Sequence, residues 1–206
     1  MREDYPDKTP DAVILDLGNV VLNWDVEGIL ASLDLPVEIR DHLREELFHH
    51  QDWLDLDHGT TTEPEVLDAI CERSPLQPTQ VEATLAATKQ SMQPLADTIH
   101  LMREIHETGL PMYCLSNMSR ESYAHVSGYD FFEMFTGIVI SGHELCMKPD
   151  HSIFHLILER FELEAEATLF VDDSLPNIEA ARHLGIQAFH FKRSPACYSS
   201  LREMLF

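Results

Sequence analysis

Short apolar runs and helical stripes alternate along the second half of the chain. Met112–Leu115 is an apolar run behind Gly109 and Pro111, and Gly137–Ile140, Thr168–Val171 and Gln187–Phe191 are three more. Near the start, Val13–Leu15 forms a similar run that ends at Asp16. Between these runs the apolar period changes to that of a helix. Pro94–Thr108 carries Leu95, Ile99 and Met102 on one stripe and stops at Gly109. A helix starting near Asp150 or Ser152 turns Ile153, Phe154, Ile157, Leu158 and Phe161 inward. After Thr168–Val171, Ser174 can cap a helix, Pro176 suits its first turn and Gly185 ends it. Buried strands alternating with amphipathic helices imply right-handed crossovers and a parallel sheet. The predicted class is α/β, a Rossmann-like sheet with helices on both faces.

The segment from Asp25 to Gln93 has a different texture. Ile29, Leu30 and Leu33, then Leu43 and Leu47, then Val66, Leu67 and Ile70 recur at helical spacing, punctuated by Pro36, Gly59, Pro64, Pro75 and Pro78. No strand run stands out. The pattern predicts a core of residues 1–24 and 94–206, with a small helical lobe, residues 25–93, inserted after the first strand.

Composition narrows the class of partner. At 206 residues, 44% hydrophobic and 24% charged, the chain has the make-up of an ordinary globular protein. No apolar run approaches the roughly 20 residues that span a bilayer. The polar opening MREDYPDKTPD has no secretory apolar region, so the cytoplasm is the expected compartment. A net charge of −22 argues against nucleic acid and anionic membrane as partners, since both need basic patches. A monomer or weak homo-oligomer is expected. The four cysteines are scattered with no CxxC pair, so reduced thiols are expected rather than a zinc or redox site.

In parallel sheets ligands bind beyond the carboxyl ends of the strands. Asp16, Ser116 and the pair Asp172–Asp173 all follow apolar runs, so they can converge on one crevice. Each is weak alone. Asp16 is a candidate nucleophile, but a turn carboxylate fits as well. Ser116 and Asn117 can donate to an anion, and Ser-Asn is also common in turns. Lys148 in CMKPD is, alone, a solvated loop lysine. Adjacent carboxylates at Asp172 and Asp173 repel unless a cation or donors compensate, and an all-oxygen set suits Mg²⁺. They also suit a helix N-terminus as dipole partners.

In order, these four motifs resemble the haloacid dehalogenase-like superfamily: Asp16 in DLGNV, Ser116 in CLSN, Lys148 in MKPD, and Asp172–Asp173 in FVDDSLPNIEAARHLGI. The resemblance covers nearly the whole chain, and the inserted lobe is similar to that family's small cap. It implies phosphoryl transfer through an aspartyl-phosphate on Asp16 to a small phosphorylated metabolite. It further implies Mg²⁺ held by Asp16, the Gly18 carbonyl and Asp173 with Asp172 near it, and phosphoryl oxygens held by Ser116 and Lys148.

One position departs from that pattern. Most phosphatases of this family carry a second aspartate two residues after the nucleophile, where this chain has Gly18. General acid–base help of that kind is worth roughly 10²–10⁴-fold. Three readings follow. The chain is a phosphatase for an easy leaving group such as glucose 1-phosphate, with DLGNV resembling a sugar-phosphate branch. In that case Asp25, Asp57 or His58 could replace the missing acid. Or it is a 2-haloacid dehalogenase, against which the acidic pair counts. Or it is a catalytically impaired phosphate-binding or regulatory protein. Of the twelve histidines only His58, beside Gly59, is expected to dip toward the crevice. Trp24 could stack on a sugar or pack between lobes, Trp53 reads as lobe core, and Asn177 orders the acidic loop.

Overall fold

The computed structural model describes residues 9–206. Most of the polar opening on which the secretory expectation rested therefore lies outside the described residues. β1 (Ala12–Leu15) is followed by a helical insertion of α1 (Val26–Ser32), α2 (Val37–Leu43) with a π-helical turn at Arg44–Phe48, α3 (Gln51–His58), α4 (Glu63–Arg73) and α5 (Pro78–Ser91). The chain returns through α6 (Ala96–Thr108), β2 (Met112–Ser116), α7 (Arg120–Val126), β3 (Gly137–Ile140), α8 (Ser141–Glu144) and α9 (His151–Arg160). It ends with β4 (Thr168–Asp172), α10 (Leu175–His183), β5 (Gln187–His190) and α11 (Pro195–Leu205).

The five strands are parallel and ordered β3-β2-β1-β4-β5. The chain builds outward from β1 to β3, then crosses back to β4 on the other side. β1 and β4 therefore flank the point where the strand order reverses, which is where such sheets bind ligands. Their register pairs Leu15 with Val171, and the Asp16 amide donates to the Val171 carbonyl at 3.0 Å, so the residues that follow, Asp16 and Asp172, emerge side by side.

Alternation along the strands splits the core in two. Val13 and Leu15 face one layer with Leu101, Met102 and Ile105 of α6 and Leu201 of α11. Ile14 faces the other, with Ile153, Phe154 and Ile157 of α9 and Ile178 of α10. Each such side chain contributes roughly 1.5–3 kcal/mol of burial. The helical insertion encloses a third cluster of its own, from Ile29 and Leu30 through Leu43, Leu47 and Ile70 to Val81 and Leu85.

Where the chain leaves and re-enters the sheet unit, its two crossings run side by side. The Asn23 amide donates to the Gln93 carbonyl at 2.9 Å, and the Leu95 amide donates to the Val21 carbonyl at 2.8 Å.

Several sequence expectations shift in detail. The helix expected from Pro94 begins at Ala96, with Leu95 as its cap. The β4 strand takes in Asp172, because Asp172 pairs with His190 and its carbonyl accepts from the Phe191 amide. The last strand stops at His190. α8 and α11 had no sequence prediction; α11 begins at Pro195, capped by Ser194. All four cysteines are free. No helix among the described residues is long and apolar enough to cross a membrane.

Candidate functional site

Asp16 directly follows β1, β2 ends in Ser116 and β4 in Asp172, and a loop after α8 carries Lys148 underneath them. The Lys148 side chain is fully enclosed. Its ammonium donates to Asp16 Oδ1 at 2.8 Å, to Asp172 Oδ2 at 2.7 Å and to the Leu115 carbonyl at 2.8 Å. Three acceptors match its three protons, so the lysine is saturated. Burial alone would lower its pKa, but the charges of Asp16 and Asp172 outweigh that and hold the ammonium above the usual lysine range.

Asp172 is completely buried and also accepts from the Ser174 amide at 2.7 Å and from Asn177 Nδ2 at 3.1 Å. Asp173 is less buried and accepts from Asn19 Nδ2 at 3.1 Å. Asn19 sits at φ 53°, a left-handed conformation that Asn tolerates better than most residues. This turn after Gly18 brings its side chain back to the acidic loop.

One oxygen from each of Asp16, Asp172 and Asp173 lies within 4.8 Å of the others. Three carboxylates facing one ammonium leave the site short of positive charge. The Asp16 carboxyl lies raised at about 7: burial raises it most, Lys148 lowers it, and the charges of Asp172 and Asp173 raise it further. Burial likewise raises Asp173. A divalent cation would supply what is missing, and a hard all-oxygen donor set fits Mg²⁺.

A cleft opens above Asp16. Asp16, Gly18, Asn19, Asn117, Met118, Lys148 and Asp173 line its floor; Trp24, Trp53, Asp57 and Met92 line its wall. The Trp24 and Trp53 rings pack 5.3 Å apart, and Phe48 packs 5.1 Å from Trp53.

The sequence-predicted residues divide accordingly. Asp16, Gly18, Asn117, Lys148 and Asp173 line this cleft; Asp172 lies just beneath it through Lys148, and Ser116 is buried at the end of β2. Asn117, expected to touch substrate, uses its side chain otherwise. It donates to the Lys148 carbonyl and accepts from the Lys148 amide, both at 2.8 Å, and so sets the lysine in place.

Asp25 and His58 are not brought in. Asp25 is exposed and caps α1, accepting from the Gly28 amide at 3.0 Å. His58 ends α3 outside the residues that line the cleft, because Gly59 is a left-handed helix stop rather than a dipping loop. Asn19, Met92, Met118, Ser122 and Trp53 were not predicted as lining residues. Only Trp53 carried a usable signal, four residues before Asp57 on one helix.

The comparisons agree with this geometry. A family model described as haloacid dehalogenase-like hydrolase matches residues 10–185. The chain is 30% identical over 188 residues to drimenol cyclase drtB of Aspergillus calidoustus, across 88% of this chain and 34% of that protein, so it spans about a third of that relative's length. It is 25% identical over 195 residues to sesquiterpene phosphatase astK of Aspergillus oryzae, across 94% of this chain and 96% of that one. A solved structure of HAD family enzyme bt-2542 from Bacteroides thetaiotaomicron, in complex with magnesium and inorganic phosphate, shares its fold. The TM-score is 0.70 at 23% identity, covering 88% of this chain and 93% of that one. With the matched model spanning both sides of the sheet and every strand-end carboxylate, the chain belongs to the haloacid dehalogenase-like hydrolases.

Proposed function

We propose that this chain is a Mg²⁺-dependent phosphatase acting on phosphomonoesters through an aspartyl-phosphate. The observation that carries the reading is the enclosed Lys148 clamped between Asp16 and Asp172, with Asp173 beside them. Lys148 occupies Asp16 Oδ1 and fixes the carboxylate's rotamer, so that its other oxygen is held ready to attack phosphorus. Lys148 also contributes positive charge where phosphate oxygens would gather, and Ser116 would donate to one of them. Asp16, the Gly18 carbonyl and Asp173 would hold Mg²⁺, with Asp172 supporting from below. When bound, the ion supplies charge neutralisation between carboxylate and phosphate. Asn19 and Asn177 keep the two acidic side chains in place, and residues 25–93 act as a cap whose contact with the core excludes water.

Two substrate classes compete. DLGNV favours a sugar phosphate such as glucose 1-phosphate, whose leaving oxygen asks little of an acid. The wall of Trp24, Trp53 and Met92, with Met118 on the floor, presents indoles and thioethers to the cleft, alongside the polar Asn23, Asp57 and Ser122. That wall, together with the sesquiterpene phosphatase of A. oryzae, favours the phosphate of a bulky apolar alcohol. We place the apolar class first. A 2-haloacid dehalogenase has no use for the third carboxylate, Asp173.

The deciding experiment measures phosphate release with Mg²⁺ from farnesyl phosphate, glucose 1-phosphate and 4-nitrophenyl phosphate, and chloride release from 2-chloropropionate. Turnover of the farnesyl ester, abolished by EDTA and restored by Mg²⁺, is expected. Phosphate release from none of the three, with or without chloride release, removes the reading.

A further inference from the structure

α3 turns one face to the cleft. Trp53 and Asp57 lie one turn apart on that face, and both line the space above Asp16. Trp53 is wedged between Trp24 and Phe48, which fixes the wall beside Asp57.

The same end of α3 is fastened to the sheet unit. Gly59 closes the helix at φ 81° so near the Gly142 backbone that any Cβ there would collide with the Gly142 carbonyl. The Ser141 hydroxyl donates to the Asp57 carbonyl and itself accepts from the Met118 amide. The Ser119 amide reaches the Asp57 carboxylate. Segments following β2 and β3 thus set where this carboxyl stands relative to Asp16. Among the described residues that line the cleft, it is the only carboxyl outside the Asp16–Asp172–Asp173 group.

Across the cleft, position 18 offers no acid, although space for one exists. A Cβ built on Gly18 would meet only Asp16 Oδ2, at 3.7 Å, and Gly18 does not have a positive φ.

We propose that Asp57 is the proton donor and acceptor of the reaction, supplied by the inserted helices in place of an acid at position 18. The proposal rests on the phosphatase reading above. As Asp16 bonds to phosphorus and the ester P–O bond breaks, the Asp57 carboxyl gives its proton to the departing alkoxide, which leaves as the alcohol. The Asp57 carboxylate then takes a proton from water as that water's oxygen bonds to phosphorus. The bond between phosphorus and Asp16 breaks, phosphate leaves, and Asp57 is protonated again. The local environment suits both halves. The carboxyl is raised to about 7 in all: burial raises it most, the Ser119 amide and the Trp53 side chain lower it, and the Asp16 charge raises it. Near neutral pH both forms are populated, which a group that first gives and then takes a proton requires.

The test compares two substrates at saturating Mg²⁺: a long-chain alkyl phosphate, whose alkoxide needs a proton to leave, and 4-nitrophenyl phosphate, whose phenolate does not. Asp57→Asn should lower kcat on the alkyl ester by roughly 10²–10⁴-fold, with a loss at least about tenfold smaller on the aryl ester. Asp57→Glu, and Gly18→Asp added to Asp57→Asn, should each return part of the alkyl turnover. Equal losses on both esters, no loss on either, or no recovery in either second variant would overturn the proposal. A wild-type protein that turns over neither ester fails earlier, and the phosphatase reading falls with it.

Discussion

Each half of this molecule clamps a cation between two carboxylates, with nearly the same distances and opposite consequences. In the sheet unit Lys148 meets Asp16 and Asp172 at 2.8 and 2.7 Å, with side-chain exposures of 1%, 10% and 0%. In the helical insertion Arg44 meets Glu27 and Asp41 at 2.7 and 2.6 Å, but the carboxylates are 68% and 60% exposed. Water screens the second clamp and makes it nearly neutral to stability. The first has no water to fall back on, so every proton and charge in it must be matched within the protein. Contact distance is the same in both; burial separates an ornament of the surface from a site able to do chemistry.

The comparison breaks most sharply at Asp16. Asp16→Asn keeps shape and burial but removes the nucleophile, and a loss on the order of 10⁴–10⁶-fold in phosphate release is expected. Residual turnover within tenfold of wild type would remove Asp16 from the covalent step. Next comes Lys148→Met, which leaves two buried carboxylates without their cation. In urea titrations it should cost about 3–5 kcal/mol of folding stability, with activity lost as well. The matching change in the other clamp, Arg44→Met, should cost less than about 1 kcal/mol. Equal costs would mean that burial is not the distinction.

Between those two in size lies Asp57, partly open to the cleft. Its folded-state pKa of about 7 is above the ordinary 3.8, so the fold favours the protonated carboxyl. Ionising it therefore costs stability, beginning as pH rises past about 4 and complete above about 7. Asp57→Asn should stabilise the metal-free protein by on the order of 1–2 kcal/mol at pH 8 and by almost nothing at pH 4. The check is a pair of thermal melts at each pH; a gain that is larger at the acid end would reverse the assignment.

Legibility in the sequence followed the same division. Lys148, in a loop, is singled out only by the family resemblance. Asp16 and Asp172–Asp173 could be found because a buried parallel strand is a continuous apolar run, and the polar residue that ends it is conspicuous. The register of β1 against β4 then brings them together without any help from side chains. In the insertion the chain supplies only helical spacing, and spacing does not say which way a helix face points. Asp57 and His58 are neighbours, about 100° apart around α3, and the sequence favoured the histidine because Gly59 looked like a loop. Its left-handed stop against Gly142 depends on residues more than eighty positions away. The bonds of Asn117 to the backbone of Lys148 were out of reach for a related reason, since that backbone is brought close only by the fold.

The paired crossings at Val21–Asn23 and Gln93–Leu95 have a thermodynamic consequence. Closing a flexible loop costs about (3/2)RT ln n, and the inserted stretch is roughly 70 residues long. Because the stretch builds its own apolar cluster, its two ends arrive already side by side. The sheet thus closes what amounts to a hairpin of a few residues, and the chain entropy of the remainder is settled inside the insertion. Inserting residues beside the exposed Pro75, in the turn between α4 and α5 whose Leu76 is buried in that cluster, should therefore leave the pairing of β1 with β4 untouched.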